Sequence, residues 1–323
     1  MRLWSLTLAA ATLAAGCSSV PVALPQHSTP ACCRQLPPAA GELLGCGYPS
    51  GHVWQNSIAK AKLARKSAAY VQATIDGGGG GAFLATMPTY EYVNMADDST
   101  PLVPVNPLVY YITPYSPIPW EPYFYISPLS DEHSIVLQSD DCQYYEGYGT
   151  TYDPSSGLTM FNNTYINLKK PFKRPASGAL STSSGIPLGL LAVRPEELSA
   201  GVIPHALGWN VVSGSVSQYA CVSPAGRRDC TNGARYAGPA SDTPMPWGSR
   251  ARLRSSFDIS KFHREAKIVA TAMQTYGLYV YDAGCCNEIV FTDDVNGSPV
   301  WSAYDALDLE TISPSDFDVV RPP

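Results

Sequence analysis

Two histidines and one glutamate are the side chains of this sequence best suited to move a proton. His133 opens the apolar segment 133–137, Glu146 lies in the tyrosine-rich segment 143–148, and His205 lies in the motif PHAL. A histidine titrates near neutral pH, and a carboxylate beside it makes a proton-transfer unit. We therefore predict His133, Glu146 and His205 as catalytic residues. The alternative is that each histidine only hydrogen-bonds the backbone at a strand edge.

Arginines recur on one side of the alternating segment 250–259. Arg250, Arg252 and Arg254 alternate with apolar residues. Guanidinium groups on one face of a strand offer paired donors to carboxylates or sulfates of a polyanion. The alternative is a solvated outer face of a half-buried strand. The predicted substrate-binding residues are Arg250, Arg252, Asp258, Asp282 and Tyr144.

Aromatic side chains crowd a proline-punctuated region of the chain. Flat rings on a concave sheet are suited to stacking on sugars, although Tyr and Trp also fill ordinary cores. The residues concerned are Tyr110, Tyr111, Tyr115, Trp120, Tyr123, Phe124 and Tyr125.

Sequence motifs for several other chemistries are missing. The sequence has no G-x-S-x-G, no H-E-x-x-H and no dinucleotide-binding glycine pattern, and the run Gly77–Gly81 lacks the Lys-Ser/Thr of a phosphate loop. The adjacent pairs Cys32-Cys33 and Cys285-Cys286 do not have C-x-x-C spacing, so no metal is predicted. We expect no cofactor.

The beginning of the chain has the features of an export signal. Arg2 precedes an apolar run that is too short to span a membrane, which indicates a removable signal peptide over residues 1–17. The residues before Cys17 (AAGC) resemble the lipobox of bacterial lipoproteins, which implies lipidation of Cys17 and, with the serines that follow, anchoring to the outer membrane. The remaining eight of nine cysteines fit a disulfide framework in an oxidising compartment.

Composition favours strands and ordered loops. Charged residues are only 15% of the chain, whereas it contains 20 Tyr, 29 Pro and 26 Gly. The formal net charge of -6 argues against nucleic acid as a partner. We predict a mainly β fold, sandwich or jelly-roll-like, with one or two short helices. Residues 18–52 are predicted as a Pro/Ala/Ser/Cys-rich tether, and residues 53–323 as a single β-rich domain.

Periodicity places individual elements in that domain. Strands are predicted over 108–112, 133–137, 143–148, 250–259 and 278–281, and the second and third should form a hairpin. Helices are predicted over 67–75 and 262–276, the latter capped by Ser260 and ended by Gly277. The run Gly77–Gly81 is predicted to break the chain because glycine is entropically costly inside an element. Cys221 and Cys230 are predicted to close a local loop.

Several segments resemble, as a set, a family of secreted bacterial proteins. These are HSIVLQSDDCQYYEGY, VIPHAL, GSRARLRSSFDIS, YGLYVYDAG and SDFDVV. The resemblance implies a shared fold and export, and it implies no particular activity.

Compartment, aromatic content and the arginine segment lead to one functional expectation. We expect a lipoprotein that binds an extracellular or envelope polysaccharide and that contacts the membrane only through its N-terminal lipid. If it is an enzyme, we expect a polysaccharide hydrolase or lyase. The alternative is a non-catalytic adhesin, scaffold or partner-binding lipoprotein of the envelope.

Overall fold

A computed structural model describes residues 42–47, 53–83, 90–108, 114–128, 131–172, 181–225, 244–293 and 303–321. They belong to one compact unit that spans Pro37–Pro323. The signal segment, Cys17, most of the predicted tether, most of the predicted strand 108–112 and Cys230 lie outside the described residues. No helix within the described ranges is both long enough and apolar enough to cross a membrane.

The strands in the described ranges are short. In chain order they are β1 (Glu42–Leu43), β2 (Cys46–Gly47), β3 (Tyr90–Ala96), β4 (Leu102–Val103), β5 (Val105–Pro107), β6 (Ile118–Pro119), β7 (Ser134–Gln138), β8 (Gln143–Tyr148), β9 (Thr151–Asp153), β10 (Gly157–Met160), β11 (Asn162–Asn167), β12 (Leu207–Val212), β13 (Val216–Cys221), β14 (Met245–Trp247), β15 (Arg250–Leu253), β16 (Leu278–Gly284), β17 (Phe291–Asp293) and β18 (Phe317–Val319).

The helices described are also short. The α-helices are α1 (Ser67–Thr74), α2 (Pro195–Ala200), α3 (Arg264–Thr275) and α4 (Ala303–Leu309). A π-helical turn, Ile75–Gly79, continues α1. Single 3-10 turns occur at Val53–Gln55, Ser213–Ser215 and Pro314–Asp316. The mainly β class is confirmed, with more helices than the one or two predicted.

Two sheets form the centre of the fold. The larger has the strand order β11-β8-β7-β3-β17, and the smaller has the order β12-β16-β15-β18. In the larger sheet β7, β8 and β11 are antiparallel, whereas β3 pairs with β7 and with β17 in parallel. In the smaller sheet β12 and β16 are parallel. Both sheets are therefore mixed.

The two sheets face each other across one hydrophobic core. Alternation along β8 sends Tyr144 into this core and Tyr145 into a second core on the outer side of the larger sheet. Alternation along β16 sends Tyr279 into the shared core and Val280 into a third core, which the buried residues of α3 complete. The arrangement is a β-sandwich with a helical layer against one sheet.

Several predicted elements are confirmed at their predicted positions. The segment 143–148 is β8, it pairs with β7 as an antiparallel hairpin, and α1 lies within the predicted helix 67–75. Helix α3 ends as predicted before Gly277, which has a φ of 74° and donates its N–H to the Ala272 carbonyl oxygen at 3.0 Å. The start of α3 differs from the prediction, because His263 rather than Ser260 is its N-cap.

The glycine run interrupts the helix, as predicted. The helical turn Ile75–Gly79 is kinked at Gly78, which has a φ of 96°, outside the helical region. A Cβ atom on Gly77 would lie 2.4 Å from the Gly214 carbonyl oxygen, so glycine also allows two backbone segments to touch here.

Two disulfide bonds join described residues to each other, and the described Cys221 is disulfide-bonded as well. Cys46 bonds Cys142, and Cys285 bonds its neighbour Cys286. The first joins the hairpin of β1 and β2 to the corner between β7 and β8, and both of its cysteines are buried. The prediction of disulfide bonds is confirmed, and the order of these pairs was not open to sequence reasoning.

Candidate functional site

Three ionisable side chains meet at one end of the inner face of the larger sheet. Ile135 pairs with Glu146 across the hairpin and with Val93 across the parallel pair. Residues opposite each other, and residues two apart on one strand, face the same side of a sheet. Glu91, two residues before Val93, and His133, two before Ile135, therefore share the face of Glu146. All three side chains are buried.

Glu146 is surrounded by hydrogen-bond donors. The Leu188 and Gly189 backbone N–H groups donate to its two carboxylate oxygens, each at 3.0 Å. The hydroxyls of Tyr144 and Ser181 also donate to them. Four donors fix the orientation of the carboxyl group. Glu146 thus holds the loop 181–189 against the sheet. Tyr144, which was predicted to bind substrate, belongs to the same hydrogen-bond network.

Glu91 has the opposite environment. No described residue donates a hydrogen bond of ordinary geometry to its carboxyl group, although the Ser127 hydroxyl lies near it. Burial raises the pKa of Glu91 from 4.5 to about 7; the charge of His133 and the nearby Ser127 hydroxyl oppose this rise, and the charges of Glu146 and Asp131 add to it. Glu91 is therefore a carboxyl group that exchanges its proton near neutral pH.

His133 lies beside Glu91 with one ring nitrogen already bonded. Its Nδ1 is 3.2 Å from the Gly147 carbonyl oxygen, and because a carbonyl only accepts, Nδ1 carries a hydrogen. Nε2 remains as the ring atom that can exchange a proton. The Tyr148 ring lies next to the imidazole, with 5.6 Å between ring centroids.

A third carboxyl group comes from the facing sheet. Asp282, near the end of β16, accepts a hydrogen bond from the Ser183 hydroxyl at 2.6 Å and one from the Ala283 N–H at 2.9 Å. Burial raises the pKa of Asp282; its hydrogen bond from Ser183 and the charge of His133 oppose that rise, and the charge of Asp131 adds to it. We call Glu91, Asp131, His133, Glu146 and Asp282 the acidic cluster.

His205 is not part of the acidic cluster. Its Nδ1 lies 2.8 Å from the Ala206 carbonyl oxygen and its Nε2 lies 3.0 Å from the Glu197 carboxylate. Both ring nitrogens lie within hydrogen-bonding distance of acceptors, so the buried ring is fixed in orientation. Burial alone raises the pKa of Glu197, but Arg194, at 2.8 Å, and His205 outweigh it and lower that pKa below its usual value. These three residues form a buried ion network.

The predicted arginine face is used within the protein. The strand ends at Leu253, not Ile259, and Arg250 is buried rather than solvated. Arg250 donates to the carbonyl oxygens of Tyr276 and Asn56, each at 2.7 Å. Arg252 donates to the Ala59 carbonyl oxygen at 2.7 Å. These guanidinium groups fasten the segment 53–61 to the smaller sheet and contact no carboxylate of the acidic cluster.

Asp258 lies beyond the strand in an exposed turn. Its carboxylate accepts a hydrogen bond from the Ser260 N–H at 2.8 Å, which lowers the pKa of Asp258. This is a local turn contact, and the structure does not bring Asp258 to the other predicted site residues.

The predicted aromatic surface is divided between core and solvent. Trp120 and Phe124 are buried in the core on the outer side of the larger sheet, and Tyr123 is 65% exposed. Tyr115 stacks on Tyr165 at 4.3 Å between ring centroids. Tyr110 and Tyr111 lie outside the described residues. The Tyr148 ring, which the prediction did not single out, lies next to His133 of the acidic cluster.

Glu91 is the residue of the cluster that sequence reasoning missed. The segment Tyr90-Glu91-Tyr92-Val93 alternates aromatic or β-branched residues in the manner of a strand. Recognising this pattern would have placed Glu91 and Val93 on one face. The parallel pairing that brings this face beside His133 has no signal in the sequence.

One group of possible metal ligands lies elsewhere. Within the described ranges, the side chains of Cys285, Cys286 and Glu288 bring three ligand atoms within 4.8 Å of one another. No other group of three or more His, Cys, Asp or Glu side chains in those ranges is as close.

Comparison of the chain with family models, with curated proteins and with solved structures gives no match. The resemblance to secreted bacterial proteins therefore stays a prediction, and the site must be interpreted from its own chemistry.

Proposed function

We propose that this chain is an exported, lipid-anchored envelope protein that binds and hydrolyses a polysaccharide at the acidic cluster. The observation that carries the proposal is that His133 lies near two carboxyl groups, Glu91 and Asp282, and that its charge lowers the pKa of each while burial raises it. Glu146 has its hydrogen bonds filled, whereas Glu91 does not, so the two buried glutamates have different capacities for reaction.

In the proposed reaction one carboxyl group is the general acid and another is the general base. Glu91 donates its proton to the glycosidic oxygen as the bond to the sugar breaks. Asp282, which hydrogen bonds from the Ser183 hydroxyl and the Ala283 N–H hold in place, takes a proton from the attacking water. His133 then returns that proton to Glu91 through Nε2, which restores the starting state. Water supplies every atom that the products gain.

The charge of the cluster restricts the substrate. Several carboxyl groups surround a single histidine, so a polyuronate would be repelled, and a neutral or amino-sugar glycan fits better. This revises the expectation that arginines neutralise an acidic sugar. The half-buried Tyr148 ring beside His133 offers a flat apolar face for one sugar unit.

The compartment is part of the same proposal. A buried disulfide between Cys46 and Cys142 is typical of a protein that folds in an oxidising environment. The lipobox-like residues before Cys17 predict acylation of that cysteine. Mass spectrometry of the mature N-terminus tests this: an acylated Cys17 supports it, and an intact Met1 contradicts it.

The hydrolysis is tested with a panel of glycans and point variants. The mature chain is incubated with a neutral β-glucan, chitosan, peptidoglycan and polygalacturonate, and new reducing ends are measured. We expect cleavage of a neutral or amino-sugar glycan, loss of at least a hundredfold in rate for Glu91→Gln and Asp282→Asn, and no change for Glu265→Gln on the surface of α3.

Other outcomes distinguish the alternatives. New double bonds in polygalacturonate would indicate a lyase instead. Binding without any cleavage would favour a non-catalytic adhesin, scaffold or partner-binding lipoprotein. Cleavage that survives both substitutions would place the reaction away from the acidic cluster.

A further inference from the structure

Two adjacent cysteines follow directly on the strand that carries Asp282. Cys285 and Cys286 form a disulfide bond with Cα atoms 3.8 Å apart. Cys285 is exposed and Cys286 is half-buried, so a reagent in solution can reach this bond. The proposed hydrolysis uses neither sulfur atom.

A carboxylate stands next to the sulfur atoms. Glu288 Oε1 lies 3.9 Å from Cys285 Sγ, and its other oxygen accepts a hydrogen bond from the Asn210 side-chain amide at 2.8 Å. Such a bond orients a carboxylate in the way that outer partners orient metal ligands. The ligand atoms of Cys285, Cys286 and Glu288 lie within 4.8 Å of one another.

The segment that carries these residues is fixed from two sides. Asn287 lies between them in the chain, donates to the Gly79 carbonyl oxygen at 2.9 Å and accepts from the Trp209 indole N–H at 3.2 Å. Cys285, Cys286 and Asn287 line a cleft of about 460 Å³, which Glu310 also lines. A bound ion would therefore have an entry path and room for a further ligand.

We infer that Cys285, Cys286 and Glu288 form a binding site for one thiophilic divalent cation, and that reduction of the Cys285–Cys286 disulfide opens it. A dithiol reductant supplies two electrons and two protons to the S–S bond and becomes a disulfide itself. The two new thiols then lose their protons to the solvent as the cation binds their sulfur atoms. Glu288 supplies the third ligand, and water or a residue of the cleft supplies the fourth.

The required movement is small. In a tetrahedral zinc-type site with metal–ligand distances of about 2.0 to 2.3 Å, neighbouring ligand atoms lie about 3.5 to 3.8 Å apart. Adjacent cysteines have no C-x-x-C spacing, but breaking the S–S bond lets the two sulfur atoms separate to this distance. The carboxylate oxygen of Glu288 is already 3.9 Å from one of them.

Reduction can open this bond and spare the buried disulfide. The sulfur atoms of the other described disulfide belong to Cys46 and Cys142, which are 2% and 7% exposed. A dithiol must reach a sulfur atom to exchange with it, so the exposed pair reacts first. The site therefore opens without loss of the buried bond.

The test is a titration of the mature chain with Cd²⁺ before and after brief treatment with a dithiol that is then removed without air. We expect the reduced chain to bind one Cd²⁺ with an ultraviolet thiolate-to-metal absorption band, and the untreated chain to show none. Cys285→Ser/Cys286→Ser should abolish the band. Glu288→Gln should keep the fold and weaken binding at least tenfold.

A matched control comes from the other adjacent pair. Cys32→Ser/Cys33→Ser removes two neighbouring thiols from the same chain and should leave the band and the affinity unchanged. Absence of a band in the reduced protein, or a band that disappears only in the Cys32→Ser/Cys33→Ser variant, would overturn the inference. Circular dichroism of each variant shows whether a lost band reflects a lost fold.

Discussion

Glu91 and Glu146 have the same side chain, face the same way and are both buried, yet the protein treats them differently. Glu146 receives four hydrogen bonds, two of them from backbone N–H groups. Glu91 receives none of ordinary geometry from the described residues, and burial raises its pKa to about 7. Surroundings rather than residue type raise the pKa of Glu91 and give Glu146 a structural role.

Replacing Glu91 should stabilise the protein at high pH. A pKa of about 7 in the native state, against 4.5 in the unfolded chain, means that the native state keeps a proton that the unfolded chain releases. Native stability therefore falls as pH rises from 4.5 to about 7, by about 3 kcal/mol in total. Glu91→Gln has no carboxyl group at this position, so the stability of the variant should not fall over this pH range. Urea unfolding should show the variant more stable by about 3 kcal/mol near pH 8 and equal near pH 4.

The control for this measurement is Glu265→Gln, which should unfold like the unmodified protein at both pH values. If Glu91→Gln is less stable than the unmodified protein near pH 8, the Glu91 charge is stabilised by His133, and a protonated Glu91 is excluded.

Removing the carboxylate partner of His205 should destabilise the protein, in contrast to Glu91→Gln. Glu197→Gln removes the anion that faces both Arg194 and His205, and leaves the buried Arg194 guanidinium without its carboxylate partner. Such a loss costs about 3 to 5 kcal/mol. Denaturant unfolding should show this drop, while the folded fraction keeps its rate in the reducing-end assay. A lower rate at unchanged stability would restore His205 as a catalytic candidate.

At the scale of elements, the loop 181–189 shows how a charge can organise a core. Glu146 accepts bonds from both ends of this loop, and Gly189 lets the loop approach closely, since a Cβ there would lie 2.6 Å from the Tyr144 hydroxyl oxygen. The loop in turn places Ser183 against Asp282. The acidic cluster thus depends on an irregular segment rather than on the sheets alone.

Glu146→Gln should therefore destabilise the protein, in contrast to Glu91→Gln. A glutamine offers one acceptor oxygen in place of two, and its amide group faces donors. Buried N–H groups that lose their acceptor cost about 1 to 3 kcal/mol each. We expect a loss of about 3 kcal/mol near pH 7, measured by urea unfolding. A loss of activity without this drop in stability would support the original prediction that Glu146 is catalytic.

Local pattern explains which elements could be predicted. Strand β8 and helices α1 and α3 have a clear period or terminal residues, and the structure has them where the sequence indicates. Strand β3 alternates too, but its neighbours in the sheet, β7 and β17, are distant in sequence and run parallel to it. Pairing of this kind depends on the whole chain, so the sequence could not predict that Glu91 lies beside His133.

The prediction of an arginine face on the segment 250–259 was wrong for a related reason. Alternation correctly placed Ala251 and Leu253 in a core, but it cannot show what covers the opposite face. Arg250 and Arg252 are covered by the segment 53–61, whose carbonyl oxygens accept their hydrogen bonds. Whether a charged face meets solvent or another segment is decided by tertiary packing.

At the scale of the molecule, layers that are distant in sequence are held together by packing and by one long-range covalent bond. Cys46 and Cys142 are separated by 96 residues, and they join the first hairpin to the corner of the larger sheet. Cys285 and Cys286 are separated by one residue position. In the chain-entropy account, a disulfide stabilises by restricting the unfolded chain, and the effect grows with the length of the loop that it closes.

The two disulfides should therefore contribute very differently to stability. Cys46→Ala/Cys142→Ala opens a loop of 96 residues and should lower the free energy of unfolding by about 4 to 5 kcal/mol. Cys285→Ser/Cys286→Ser opens no long loop and should change the free energy of unfolding by less than about 1 kcal/mol. Thermal and urea unfolding of both variants, without reductant, provide the comparison. Equal losses would mean that native contacts of the sulfur atoms, rather than restriction of the unfolded chain, carry the stabilisation. The unequal losses that we expect would leave the exposed pair free to change its redox state while the fold persists.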